Sequence, residues 1–264
     1  MEVVIEQTPE EVAQTAADVV TDLLHRCPTA VLGVATGSSP VGVYQALGER
    51  VAAGTVSLAR ARAFMLDEYV GLPADHPQRY RSVIERDFVA AVDIPTSAVL
   101  GPDGAATDVR AACAAYERAI VDAGGVDLQL LGIGTDGHVA FNEPGSSLAS
   151  RTRIKTLTPQ TRRDNARFFG GDLGSVPLHC LTQGIGTILD ARHLLLVATG
   201  RHKAEAVHHL VEGPVSALWP ASALQLHPHV TVVLDAAAAS RLQLAAYYRQ
   251  TAAAKPVWQP VGAR

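Results

Sequence analysis

Short apolar runs alternate along this chain with longer stretches in which apolar positions recur every three or four residues. Residues 30–35 (AVLGVA), 62–66 (RAFML), 128–133 (LQLLGI), 193–198 (HLLLVA) and 230–234 (VTVVL) read as strands buried on both faces, since a strand with one wet face would alternate apolar with polar. Between them the spacing predicts helices from Thr8 to about Leu24, Pro40 to about Ala53, around 80–90, over Asp108–Ala123, around 159–169, around 203–212 and over 236–249. Thr8 with Glu11 has the reciprocal capping pattern, and Pro40 is placed to open its helix. The polar stretch 153–158 is a further candidate strand. This alternation predicts an α/β fold: a mostly parallel, Rossmann-like open sheet with helices on both faces. No low-complexity linker divides the chain. A single domain is expected over 1–250, followed by a loosely held Ala- and Pro-rich tail, 251–264.

Composition narrows the function classes. The chain has 264 residues, 48% hydrophobic and 18% charged, which predicts a folded protein. A net charge of −4 gives no general drive toward nucleic acid or an anionic membrane. The longest apolar runs fall far short of the ~20 residues that span a bilayer. The N-terminus opens with Glu2 and Glu6, not with the basic and apolar regions of a secretory signal. A cytoplasmic location is expected. Cys27, Cys113 and Cys180 are far apart and form no CxxC, so they read as three buried thiols. Ten histidines include no HExxH and no closed ligand set, and no metal site is predicted.

The chemistry gathers where strands end. Val34-Ala35-Thr36-Gly37 recurs as Val197-Ala198-Thr199-Gly200, each time between a strand and a helix. Ligands of open parallel sheets bind at such edges. After the first echo, Gly37, Ser38 and Ser39 open a helix with small residues and two hydroxyls, a cradle for an anion. No Gly-Lys-Ser/Thr follows, so a small phosphate ester fits better than a nucleoside triphosphate. After the second echo, Lys203 stands at a helix start, where a cation is unfavourable unless an anion joins it. Arg167 is another phosphate anchor, in competition with Arg162 and Arg163. Residues 132–137 (GIGTDG) spell G-x-G-x-x-G after a strand, but Pro144 interrupts and 150–158 carries no acid. A dinucleotide site is therefore disfavoured, and the glycines are expected to let backbone approach a ligand. Asp136, His138 and Glu143 crowd the same loop, two carboxylates within reach of one imidazole that can move a proton. Asp67, at the end of the second strand, is either a base for a C–H acid or a turn cap. Glu68 beside it should point elsewhere.

Residues 31–40 (VLGVATGSSP), 66–73 (LDEYVGLP), 131–144 (LGIGTDGHVAFNEP), 146–158 (SSLASRTRIKTLT) and 222–228 (SALQLHP) together resemble the glucosamine-6-phosphate deaminase family, in the same order and spacing, over about residues 8–249. The resemblance implies cofactor-free conversion of D-glucosamine 6-phosphate and water to D-fructose 6-phosphate and ammonia. By the matching motifs, His138 assists ring opening with Asp136 and Glu143 orienting it. Asp67 moves the proton from C2 to C1, and Ser38, Ser39, Arg167 and Lys203 hold the phosphate. The first loop departs from the usual family form, with Ala35 for Pro and Ser38-Ser39 for Gly-Thr. A 6-phosphogluconolactonase-like hydrolase shares the Gly-rich and DGH parts but not the FNEP and SRTRIKT segments. A sugar-phosphate sensor domain of the same fold is the other alternative.

One pattern bears on regulation. If 151–156 is extended, Arg151, Arg153 and Lys155 share one face. In some members of the family, Ser146, Arg153, Lys155 and Thr156 match residues that bind the effector N-acetylglucosamine 6-phosphate at a subunit boundary of a hexamer. There the N-terminus and a Tyr of the last helix complete the site. Here Arg249 takes that position, after Tyr247 and Tyr248.

Overall fold

The apolar runs form one parallel sheet, in a computed structural model that describes residues 1–256 and 258–263. In chain order the strands are β1 (Glu2–Glu6), β2 (Val31–Val34), β3 (Arg62–Met65), β4 (Asp67–Tyr69), β5 (Val99–Leu100), β6 (Leu128–Leu131), β7 (Arg153–Thr156), β8 (His179–Thr182), β9 (Leu194–Ala198) and β10 (Val230–Asp235). Seven of them make a sheet of order β1-β10-β9-β6-β2-β3-β5, and every pairing in it is parallel. Leu194, Leu196 and Ala198 of β9 enter the core on one side, Leu195 and Val197 the core on the other. With both faces covered, no position can be polar without a partner, which is why these strands read as continuous apolar runs.

Helices α1 (Pro9–Arg26), α2 (Ser38–Ala52) and α3 (Tyr80–Ile84) pack on one face. On the other lie α4 (Val109–Asp122), α6 (Ile185–Leu189) and α7 (Ala204–Val211). The capping box of α1 is formed: Glu11 N donates to Thr8 Oγ1 at 3.1 Å, and Thr8 N to Glu11 Oε2 at 3.2 Å. Around 80–90, α3 runs on into a wider turn over Glu85–Val89.

The direction of building changes sharply at β2. From there the chain adds β3 and β5 on one side and β6, β9, β10 on the other. The loops after β2 and β6 therefore flank the switch point, where open sheets leave a crevice.

A second sheet is not evident in the apolar pattern. β4, β8 and β7 form a three-stranded antiparallel sheet in the order β4-β8-β7. Leu66 N still donates to Val34 O of the large sheet at 3.2 Å, whereas Asp67 already pairs with Thr182. Asp67 thus stands at the junction of the two sheets. The expected helix over 236–249 is also corrected. It is a short helical turn over Ala238–Arg241, a break, and then α8 (Ala245–Ala253). The break has a cause: Glu212 accepts from Gln243 N at 2.8 Å and Leu244 N at 2.9 Å. Of the three thiols, Cys113 and Cys180 are buried but Cys27 is half-exposed. In the tail, Lys255 Nζ lies 2.5 Å from Glu2 Oε1, and Gly262 N donates to Glu2 Oε2 at 2.9 Å. Among the described residues no helix is long and apolar enough to cross a membrane.

Candidate active site

The two echo turns lie at the ends of β2 and β9, with positive backbone angles at Gly37 (φ 114°) and Gly200 (φ 87°). Such angles suit glycine. Gly37 precedes α2 and has no side chain to cap it, so the first N–H groups at Ser38 and Ser39 open outward. Tyr44 fixes the turn from below, bonding Ala35 N at 3.0 Å and Ala35 O at 2.8 Å. Asp235 does the same for the second turn, accepting from Gly200 N at 2.9 Å.

Lys203 stands half-buried immediately before α7. Burial pushes its pKa down; the Asp136 charge opposes that, and Arg167 lowers it further. Lys203, Arg167 and Asp136 therefore share one electrostatic neighbourhood, which joins the cations to the imidazole loop. An ammonium held in this way favours an anionic ligand. The competing arginines are engaged elsewhere. Arg162 donates to Leu173 O at 2.7 Å and Val176 O at 2.9 Å, and Arg163 to Gln160 Oε1 at 2.8 Å. Arg167 follows α5 (Pro159–Ala166) and lies over the Phe168 ring, 4.7 Å from its centroid.

His138 sits between two carboxylates. Its Nδ1 is 2.6 Å from Asp136 Oδ1 and 3.6 Å from Glu143 Oε2. A tight turn brings Glu143 back, with Ala140 at φ 50° and Asn142 N bonded to Val139 O at 3.1 Å. Asn142 Nδ2 ties the turn to Gln183 O at 2.9 Å. Burial by itself would raise the Asp136 pKa, but the bonds and charge of His138 pull it down to about 2. Glu143 goes the other way. Burial raises it, with Asp136 adding to the rise, against a hydrogen bond from Thr161 Oγ1 at 2.5 Å. One carboxylate is thus held ionised against the imidazole while the other retains a proton more readily. That is an arrangement for relaying a proton.

These three residues are also the one group, among the described residues, whose ligand atoms gather within 4.8 Å. A tetrahedral ion with bonds of ~2.0–2.1 Å sets its ligand atoms roughly 3.4 Å apart. The 2.6 Å between Nδ1 and Oδ1 is instead a hydrogen-bond distance. That spacing suits a shared proton better than a metal.

Asp67 is buried. Burial, and then the neighbouring Glu68 charge, push its pKa well above the carboxylate range. It faces Thr182 across the β4–β8 ladder, and Thr182 Oγ1 accepts from Phe141 N in the His138–Glu143 turn at 3.1 Å. One residue of β8 thereby links Asp67 to the imidazole loop. Glu68 points away, as alternation predicts. It accepts from Tyr80 N at 2.8 Å and Arg81 N at 2.9 Å, capping α3.

Two expectations change in part. Of the loop glycines, Gly134 and Gly137 admit protein side chains, while Gly132 has open space beside it. A Cβ on Gly134 would meet the His138 ring at 2.3 Å, and one on Gly137 would meet Trp219 Cε3 at 2.6 Å. The three-cation row is broken, because Arg151 precedes β7 and binds Glu117 Oε2 at 2.6 Å and Asp190 Oδ2 at 2.5 Å. Arg153 and Lys155 remain on one half-buried face of β7, Thr156 is exposed on the other, and Ser146 is buried. Thr161, Gln183 and Trp219 support the site and were not singled out from the sequence. Thr158 caps α5 and Pro159 opens it, a helix-start pattern from which the first could have been found.

Comparison with known proteins agrees with this geometry. Residues 5–233 match the family described as glucosamine-6-phosphate isomerases/6-phosphogluconolactonase. A glucosamine-6-phosphate deaminase from Mycolicibacterium smegmatis is 69% identical over 99% of this chain and 100% of its own length. One from Beutenbergia cavernae is 70% identical over 98% and 99%. A solved structure described as a monomeric glucosamine-6-phosphate deaminase superposes with a TM-score of 0.88, at 44% identity, over 91% of this chain and all of that one. The 6-phosphogluconolactonase of Trypanosoma cruzi, at 22% identity and a TM-score of 0.74, shares the fold. With the match covering most of the chain, the protein belongs to the glucosamine-6-phosphate isomerase/6-phosphogluconolactonase family.

Proposed function

We propose that this protein is a glucosamine-6-phosphate deaminase. It converts D-glucosamine 6-phosphate and water to D-fructose 6-phosphate and ammonia without a metal or organic cofactor. The observation that carries the reading is that one buried carboxylate, Asp67, stands apart from one carboxylate–imidazole set, Asp136–His138–Glu143, with Lys203 in the field of Asp136 and of Arg167. Isomerisation of a cyclic amino sugar needs these two proton movers and an anchor. The relatives that carry the deaminase name at 69% and 70% identity support it.

Ser38, Ser39, Lys203 and Arg167 bind the phosphate, and binding energy at that remote end positions C2 over the base. His138 takes the proton of the anomeric hydroxyl and returns one to the ring oxygen, opening the sugar. Asp136 fixes the imidazole and stabilises its cation; Glu143 adjusts the shared proton. Asp67 then removes the proton from C2; the electron pair forms a C1=C2 bond while the C1 oxygen takes up a proton from solvent, giving an enolamine. The same carboxyl returns the proton to C1, leaving an imine at C2. Water adds there and ammonia departs. A lactonase would have no use for a base aimed at C2.

We further propose that the chain acts as a monomer and is not activated by N-acetylglucosamine 6-phosphate. The relative described as monomeric supports the first, and Arg249 at the position of the last-helix Tyr supports the second. The primary test is ammonia release from glucosamine 6-phosphate with no added cofactor. Enzyme-dependent release is expected, and its absence refutes the assignment.

A further inference from the structure

On its far side, the loop that carries His138 rests on a column built from α7. The Trp219 indole lies directly against Gly137: a Cβ there would come 2.6 Å from Trp219 Cε3. The same segment holds the loop at both ends, with Ala221 N donating to Gly137 O at 2.8 Å and Gly145 N to Ala217 O at 2.7 Å. The indole is stacked in turn on the His209 imidazole, with ring centroids 3.8 Å apart and planes at 16°. His209 Nε2 lies 3.3 Å from Glu205 Oε1, one turn earlier on α7. Lys203 stands just before that helix.

We propose that His209 is a positioning residue: its stack on Trp219 holds Gly137 in place and so keeps His138 at hydrogen-bond distance from Asp136. The inference rests on the deaminase reading above. Gly137 lies between the two proton-handling residues and has no side chain with which to wedge the loop. Its left-handed backbone (φ 80°) is held from outside. Glu205 sets the imidazole plane, the imidazole sets the indole, and the indole sets the loop. One short helix thereby supports the phosphate anchor at its start and the proton relay through His209. A misplacement of about 1 Å at a reacting group costs on the order of 10²-fold in rate.

The test compares His209→Ala, which removes the stack, with His209→Phe, which keeps a planar ring and no polar bond. The unmodified protein is assayed first; no ammonia release there sinks the deaminase reading and not this inference. Given release, His209→Ala should lower kcat by roughly 10- to 100-fold with KM little changed, and His209→Phe should restore most of it. Titration with a non-reacting open-chain amino-alditol 6-phosphate should count the same number of sites per chain in all three proteins. This separates a misplaced relay from a smaller folded fraction. If His209→Ala does not fold, His209→Leu keeps the volume without the ring plane and carries the same expectation. Unchanged kcat in the variant without a ring, a fall in kcat matched by an equal fall in site count, or a Phe variant as slow as the Ala one each overturns the proposal.

Discussion

Asp67 is costly where it stands. Its pKa is raised by burial, then by Glu68, so the folded chain binds that proton more tightly than the unfolded chain does. The linkage sign follows: the stabilising contribution is complete below the unfolded carboxylate value and is lost as pH rises through the folded one. Asp67→Asn, neutral throughout, should therefore raise Tm at pH 7 by about 2–4 °C per kcal/mol recovered. Melting curves at pH 4 should show that advantage shrink, and a variant less stable at pH 7 would contradict it. The same substitution should cut ammonia release and C2-proton exchange together by ~10²-fold or more, while substrate still binds. The acid limb of kcat/KM should lie above the ordinary carboxylate range and should not follow Asp136, held ionised down to about 2. Asp67 and His138 were legible in the sequence because strand ends and local crowding are local facts. Thr161, Trp219 and Gln183 were not. They reach the site from 18 or more residues away from Glu143, with Thr161 the nearest.

Local pattern reports an element well when the element satisfies itself. Helix α1 has its capping box, and β9 its unbroken apolar run. It fails when the partner is distant. The strands of the second sheet span three or four residues each, too short to show a period. Helix 236–249 is interrupted because Glu212 takes two of its N–H groups. Two acceptors at helix starts rank by burial. Thr8→Ala removes an exposed cap and should cost about 1 kcal/mol, roughly 2–4 °C in Tm. Glu68→Ala leaves the buried N–H of Tyr69 and the half-buried N–H groups of Tyr80 and Arg81 without their acceptor. At about 1–3 kcal/mol for the buried group alone, the loss should exceed that of Thr8→Ala, at roughly 2–4 °C per kcal/mol. Thermal melts of both variants give the order directly; an equal loss would show that Glu68 does not hold α3.

Regulation belongs to the whole molecule, because an effector shifts a conformational equilibrium only through contacts that differ between two states. The segment that could supply such contacts is β7, an edge strand of the small sheet. Arg151, which would have extended its cationic face, is instead committed to Glu117 and Asp190. Glu117 also accepts from Thr152 N at 2.8 Å and Thr187 Oγ1 at 2.6 Å, so α4, α6 and the start of β7 are fastened together. Fastened to α4 and α6, Arg151 and Thr152 just ahead of β7 are poorly placed to move between two arrangements. On α8, Arg249 adds a cation where an aromatic side chain was expected. Substrate saturation should accordingly be hyperbolic, with the same half-saturation point with and without N-acetylglucosamine 6-phosphate, and Arg153→Ala should leave the curve unchanged. Light scattering should give the 27.8 kDa of one chain at assay concentrations. Sigmoidal saturation that the effector makes hyperbolic, lost in Arg153→Ala and accompanied by a multiple of that mass, would show instead that β7 binds an effector through subunit contacts absent from a single chain.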